Sequence, residues 1–236
     1  MSVPPSVPSG APPPSRSWPV LLVVGVGTLL SAMAGSAVTL ALPAIGKDLG
    51  LSIQSTRWVV QSFLLVVTVL LLVAGRAGDL LTHRRVYLAG FLLFGVTSLW
   101  CGLVHSFVEL LVARVLQGVG GAMIMATGPA LLTTSVPGHQ RGRALGMVAT
   151  ATYTGLTIGP PLGGLIIGAL GWRWVFLLNV PVTLFMVAIG PRLLPKSRPP
   201  QRTSFDWVGA TALVLGLPPL LLAMTEGRRW GWISGP

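Results

Sequence analysis

Five carboxylates, three histidines and one cysteine are all that this 236-residue chain offers for acid–base, metal or nucleophilic chemistry. Asp48, Asp79, Glu109, Asp206 and Glu226 each fall in a connection or at the end of an apolar run. No carboxylate stands in the middle of one, where a group changing protonation inside a bilayer would be needed. His83, His105 and His139 also lie in connections, and no two are at helical spacing. With no HExxH and no Cys cluster, a resident metal is not expected. A GxSxG nucleophile turn is missing too. Cys101 is alone in an apolar run and cannot form an intrachain disulfide. The residues point away from an enzyme and away from a bound cofactor.

Arg114 is the exception among the charges, because it lies inside the apolar run LLVARVLQGVGGAMIMATG. A guanidinium at mid-bilayer costs about 2.5 to 3.5 kcal/mol on insertion scales, so it must face a wet cavity or a partner, or else snorkel to the interface. Gln117, three residues on, shares its helical face and is a second polar candidate for a cavity wall. A different signal occupies TGLTIGPPLGG. Gly155, Gly159 and Gly163 recur every four residues, which would stack three positions without side chains against a neighbouring helix. Pro160 and Pro161 should bend the helix beside that face. The segment GRAGDLLTHRR reads as a short polar loop, with Asp79 near Arg76, Arg84 and Arg85. It fits either a charge-paired latch between two helices or a simple basic anchor.

These residues must be positioned by membrane helices. The chain is 52% hydrophobic and only 9% charged, with a mean hydropathy of +0.78, whereas soluble proteins average about 25% charged. Apolar stretches at about 20–45, 58–74, 86–104, 110–136, 144–170, 174–194 and 207–225 have the length of roughly 20 residues that a helix needs to cross. Strands of a membrane barrel would alternate polar and apolar residues, and these do not. The expected class is an all-α polytopic membrane protein. Residues 1–19 hold seven of the 20 prolines and read as a disordered cytoplasmic tail. A cleaved leader is the other reading of the N-terminus, disfavoured because apolar character continues through SAVTLALPAI. The net charge of +11 would signal nucleic acid in a soluble protein. Here ten of the 16 basic residues fall on the side of the N-terminus and five on the other, which places that side in the cytoplasm.

Taken together, these segments resemble the major facilitator superfamily, in particular its 14-helix drug:proton antiporters. GRAGDLLTHRR is similar to the G-x-L-a-D-r-x-G-r-r loop between the second and third helices, matching at Gly75, Asp79, Arg84 and the neighbouring Arg85. Leu80 and Thr82 stand where that pattern has Arg and Gly. LLVARVLQGVGGA resembles the fourth-helix motif at Arg114, Gln117 and Gly118. TGLTIGPPLGG resembles the antiporter motif of the fifth helix at Gly155, Gly159, Pro160, Gly163 and Gly164. WRWVFLLNVP, FDWVGATALVLGL and GWI look like the same group. In the first helix MAGSAVTLALP puts Ala34 and Thr39 where the group has Asp and Asn.

The resemblance implies a fold of two six-helix bundles, each of inverted three-helix repeats, with the substrate site between them. Two further helices join the bundles in the 14-helix group. This chain would supply the N-terminal bundle over 20–194, a cytoplasmic linker over 195–206, and the first linking helix with an external end over 207–236. The implied function is secondary active efflux of small organic or drug-like molecules across the cell membrane. Arg114 and Gln117 would line the cavity, the glycine face would seal the packing, and Asp79 with Arg84 and Arg85 would gate the inner side. With Ala34 in place of the carboxylate, any proton coupling is expected to rest on groups outside this chain. The expected partners are the bilayer, a small-molecule substrate, and a C-terminal half or a second copy, with no nucleic acid. The competing reading is a non-transporting membrane interaction protein, or a half-transporter that needs a partner.

Overall fold

Pro19 marks where the first helix begins. Proline is tolerated in a first turn because its missing N–H would have no intrahelical partner there. In the computed structural model, which describes residues 17–195 together with 209, 211, 212, 215–219 and 223, helix α1 accordingly spans Ser17–Asp48. It starts inside the segment expected to be tail, and residues 1–16 lie outside the described part. Next come α2 (Ile53–Leu81), α3 (His83–Leu103), α4 (Phe107–Ser135), a single 3-10 turn (Gly138–Gln140), α5 (Arg141–Leu170), α6 (Trp174–Leu177) and α7 (Asn179–Leu193). Six of these units, with α6 and α7 taken as one, are long and apolar enough to cross a membrane. Of the seventh span expected at 207–225, the described positions are helical and the rest lie outside the described residues.

Local chemistry explains the boundaries. Ser52 caps α2 by accepting from the Ser55 N–H, and Ser106 caps α4 by accepting from the Glu109 N–H. The Glu109 carboxylate reaches back past this cap to accept from the His105 N–H at 3.0 Å. Gly171, at φ 90°, ends α5 where a side chain would be strained. The segment expected as a loop after α2 is a correction to the sequence reading. Gly75 and Asp79 belong to α2, which runs to Leu81, and His83 already begins α3. Thr82 alone makes the break. Helix α5 continues through both Pro160 and Pro161.

Helix α4 is the hub. Its glycines let three neighbours approach: a Cβ on Gly118 would lie 2.9 Å from the Phe63 carbonyl oxygen of α2, one on Gly120 would lie 2.9 Å from the Phe94 nitrogen of α3, and one on Gly128 would lie 3.2 Å from Val24 of α1. Two apolar clusters fill the bundle. Near the N-terminal end Val24, Tyr87, Phe91, Phe94, Leu131 and Met186 pack together. Toward the opposite end Val38, Ile45, Val59, Leu110, Val175 and Phe176 form the second. That opposite end is clasped by Asp48, whose carboxylate accepts from the Arg173 guanidinium at 2.7 Å and the Trp172 indole at 3.2 Å. Arg173 also donates to the Val104 carbonyl, so one group holds the ends of α1 and α3 to the α5–α6 connection.

The most extensive helix pair is α1 with α5, and the glycine stripe makes it. A Cβ on Gly155 would stand 2.6 Å from the Leu29 carbonyl oxygen and 3.0 Å from the Ala32 Cβ, while Gly159 meets Met33 and Ser36, and Gly163 meets Ala37. The Ser36 hydroxyl donates to the Gly155 carbonyl across the seam at 3.4 Å. Gly164 stands beside this line, where a Cβ would lie 3.6 Å from Leu40. A backbone carbonyl cannot yield as a side chain can, so overpacking here costs at least about 1 to 3 kcal/mol. Gly155→Val is expected to lower the melting temperature in detergent by several degrees. Gly168→Val, where a Cβ meets nothing within 4 Å, is expected to leave it unchanged.

Candidate functional site

The seam between the two apolar clusters holds Arg114, the only buried charge among the described residues. Arg114 and Gln117 are both fully enclosed, at 0% exposure. The Arg114 side chain neither snorkels to an end nor lines an open cavity in this conformation. Its Nε donates to the Val59 carbonyl of α2 at 2.8 Å, and its Nη1 donates to Gln117 Oε1 at 2.6 Å. The guanidinium lies 4.3 Å from the Phe63 ring centre and 5.7 Å from that of Phe176. Gln117 passes the network on, its Nε2 donating to the Ser98 hydroxyl of α3 at 2.6 Å, with the Cys101 thiol 4.0 Å from Oε1. Arg114 Nη2 has no hydrogen-bond partner among the described residues, and no carboxylate there pairs with Arg114. One cation is thus held by a carbonyl, an amide and two aromatic faces drawn from α2, α4 and α6.

The spacing of Arg114 and Gln117 predicted a shared face, and the structure brings them together. The Val59 carbonyl, Ser98 and the two phenylalanines carried no sequence signal. Ala34 is buried on α1, among the cluster nearer the N-terminus. The remaining carboxylates are accounted for at helix ends: Asp48 in the clasp, Glu109 in a cap. Asp206 and Glu226 lie outside the described residues.

The Gly75–Arg85 set is arranged differently from the expected latch. Asp79 faces Arg76 at 3.8 Å and His83 at 3.3 Å, not Arg84 or Arg85. All three groups are partly solvated, so these pairs contribute little to stability. Arg84 turns instead to α7, donating through Nη2 to the Pro191 carbonyl, where a cation also complements a helix C-terminus. A Cβ on Gly75 would lie 4.0 Å from the Ala126 Cβ of α4. His83 was not singled out in the sequence, although its position four residues after Asp79 was the available signal.

Thr82 is the strained point of this region. It has φ 106° and ψ 133°, and among the described residues it is the non-glycine with positive φ. A β-branched side chain is disfavoured there, at a cost of about 1 to 3 kcal/mol. Its compensation is modest: the hydroxyl accepts from the Arg85 N–H at 3.4 Å. Thr82→Gly is expected to raise thermal stability by about 1 kcal/mol, read as an upward shift of the melting temperature.

The buried network yields a sharper contrast. Gln117→Leu leaves the Arg114 charge enclosed with one hydrogen-bonded partner fewer, and is expected to cost about 1 to 3 kcal/mol. Arg114→Met removes the buried charge itself, and replacing such a charge by an apolar group of similar size is often close to neutral. Thermal unfolding of the two variants side by side would show the glutamine variant as the weaker. The reverse order would mean that the guanidinium is a net stabiliser.

Comparison with known proteins agrees with this architecture. The chain matches the family described as Major Facilitator Superfamily over residues 24–233. It is 35% identical over 218 residues to the tetracenomycin C resistance and export protein of Streptomyces glaucescens, covering 92% of this chain and 40% of that protein. It is 33% identical over 222 residues to the multidrug transporter protein MdtP of Bacillus subtilis (strain 168), covering 93% and 41%. It is 32% identical over 212 residues to the riboflavin transporter RibZ of Clostridioides difficile (strain 630), covering 89% and 46%. The crystal structure of a bacterial homologue of the human lysosomal transporter Spinster, inward-facing and unoccupied, superposes with a TM-score of 0.68 at 20% identity, over 83% of this chain and 46% of that one. The chain therefore spans less than half the length of these curated relatives. A six-span helical bundle with a glycine-welded first and fifth helix, matched by the family over most of its length, makes this multi-pass membrane protein a member of the major facilitator superfamily.

Proposed function

We propose that this chain forms the N-terminal bundle and first linking helix of a secondary transporter that exports small organic or drug-like molecules. The observation that carries the reading is the family match over residues 24–233, with relatives named for export and multidrug transport aligned along nine-tenths of the chain. In such a fold the substrate crosses between two bundles that rock against each other. One bundle must then move as a body, and the network around Arg114 supports that role by joining α2, α3, α4 and α6. Arg114 and Gln117 act in this reading from inside the bundle, keeping the cavity wall in one piece. The glycine face of α5 keeps α1 and α5 moving together.

The basic bias supports a cytoplasmic N-terminus in the cell membrane. The gating assignment for Gly75, Asp79, Arg84 and Arg85 is carried forward, with Arg76 and His83 as the groups that Asp79 meets in this conformation. With no buried carboxylate among the described residues, proton coupling is assigned to groups supplied by the second bundle.

The test uses the transporter that this bundle forms together with its C-terminal bundle. Arg114→Met and Arg114→Lys are both expected to abolish efflux of a fluorescent drug from whole cells while membrane levels stay normal. Lysine retains the charge but lacks the planar fork that bonds Val59 and Gln117 at once. Full efflux by either variant would remove Arg114 from the mechanism.

A further inference from the structure

The chain has two tyrosines, and the fold treats them in opposite ways. Tyr87 is fully buried, and its hydroxyl donates to the Val23 carbonyl at 2.9 Å. Tyr153 is 69% exposed, and no described residue hydrogen-bonds its hydroxyl. Depth is what sets Tyr153 apart. Helix α5 runs from Arg141 to Leu170, so Tyr153 lies about 18 Å from its start and about 25 Å from its end. A hydrocarbon core is about 30 Å thick, which puts this residue near mid-bilayer. The interfacial belt that accounts for most exposed membrane tyrosines is therefore not its place.

Other polar groups share its level. Thr157, one turn on along the same side, is exposed, and its hydroxyl also bonds no described residue. Pro160 and Pro161 stand inside the helix and carry no N–H. The Leu156 and Thr157 carbonyls therefore lack the donor four residues on that an uninterrupted helix would give them. Thr150, a turn before Tyr153, meets its own need by donating to the Gly146 carbonyl at 2.9 Å. A phenol oxygen stands too far from its own backbone to do the same. Gly155, Gly159 and Gly163 turn toward α1, and at 100° per residue Tyr153 and Thr157 fall on the side of α5 away from that line. Hydrocarbon cannot bond these groups, so that side must face a wet path or another helix. The two bundles of this fold rock against each other, and a helix of the second bundle cannot hold all of these groups through the cycle. A molecule crossing at mid-depth meets them whenever the boundary is open.

We propose, resting on the transporter reading above, that Tyr153 contacts the substrate, and that with Thr157 and the Leu156 and Thr157 carbonyls it selects uncharged aromatic molecules bearing hydroxyl groups. Two carbonyls that can only accept, beside two hydroxyls, make a surface that calls for donors. The Tyr153 ring and the exposed Leu156 offer an apolar face to a flat body. A permanent cation finds no buried carboxylate among the described residues to pair with. The Arg114 charge is enclosed and committed to Val59 and Gln117, so it does not call for an anion.

The test uses the transporter that this bundle forms together with its C-terminal bundle, purified in detergent, and three fluorescent probes read by anisotropy. The probes are resveratrol at mildly acidic pH, where its phenols are protonated, its trimethyl ether, which has lost the donors, and ethidium, a permanent cation. The wild type is expected to bind resveratrol about ten-fold more tightly than the ether, the size of one hydrogen bond left unmade. Tyr153→Phe keeps the ring and should weaken resveratrol several-fold while leaving the ether unchanged. Tyr153→Ala removes the apolar face and should weaken both. Tighter binding of ethidium than of resveratrol by the wild type overturns the substrate class. Unchanged resveratrol binding in Tyr153→Phe overturns the contact, as does an equal loss of all three probes with a lowered melting temperature, which would make Tyr153 a packing residue. Whole-cell efflux of the three probes separates the two readings. A wild type that exports none of them sinks both, whereas export without preference between resveratrol and its ether sinks only the role given to Tyr153.

Discussion

A buried guanidinium without a carboxylate is the constraint around which this bundle is arranged. Arg114 has to be satisfied by neutral groups, and neutral groups are effective only at close range and in the right orientation. The Val59 carbonyl can reach it because α2 lies against α4 with only Gly118 and Gly121 between their backbones. Gln117 can face it because it stands one turn along the same helix and is itself fixed by Ser98. Phe63 belongs to one apolar cluster, while Val59 and Phe176 belong to the other. The charge therefore stands at the joint between the two clusters, and what satisfies it also joins them.

The six spans were legible because lipid demands long apolar runs, and helix length follows from bilayer thickness. The face shared by Arg114 and Gln117, and the glycine stripe, followed from helical periodicity alone. The α2–α3 connection misled because polar residues near a helix end look like loop. In fact Arg76 and Asp79 lie on an exposed turn of helix, and the chain reverses at one residue, Thr82, whose type gives no sign of its backbone angle. Contacts between distant segments were not legible either. Asp48 and Arg173 are separated by most of the chain, and each reads alone as a surface charge at a span end.

Small residues and charges divide the work of assembly between them. In lipid there is little hydrophobic gain in bringing one apolar helix to another, so close backbone approach and interhelical hydrogen bonds carry association. The α1–α5 seam uses the first device and the α2–α3–α4 network the second. Polar groups at the two ends, among them the Ser106 cap, the Asp48 clasp and the Arg84 bond to Pro191, hold connections that lie in water or headgroups.

The clasp at Asp48 also gives α1 a mechanical character. The helix is pinned at that end and welded to α5 from Ala37 back to Leu29, while its first turns border an open cleft. From Leu29 to Trp18 the helix runs about 16 Å, with Val20, Val23 and Val24 buried in the core cluster and the Val23 carbonyl accepting from the Tyr87 hydroxyl at 2.9 Å. In the language of beams, α1 is held at both ends, by the Asp48 clasp at one and by the core cluster and the Tyr87 bond at the other, and so moves only with the bundle it is built into.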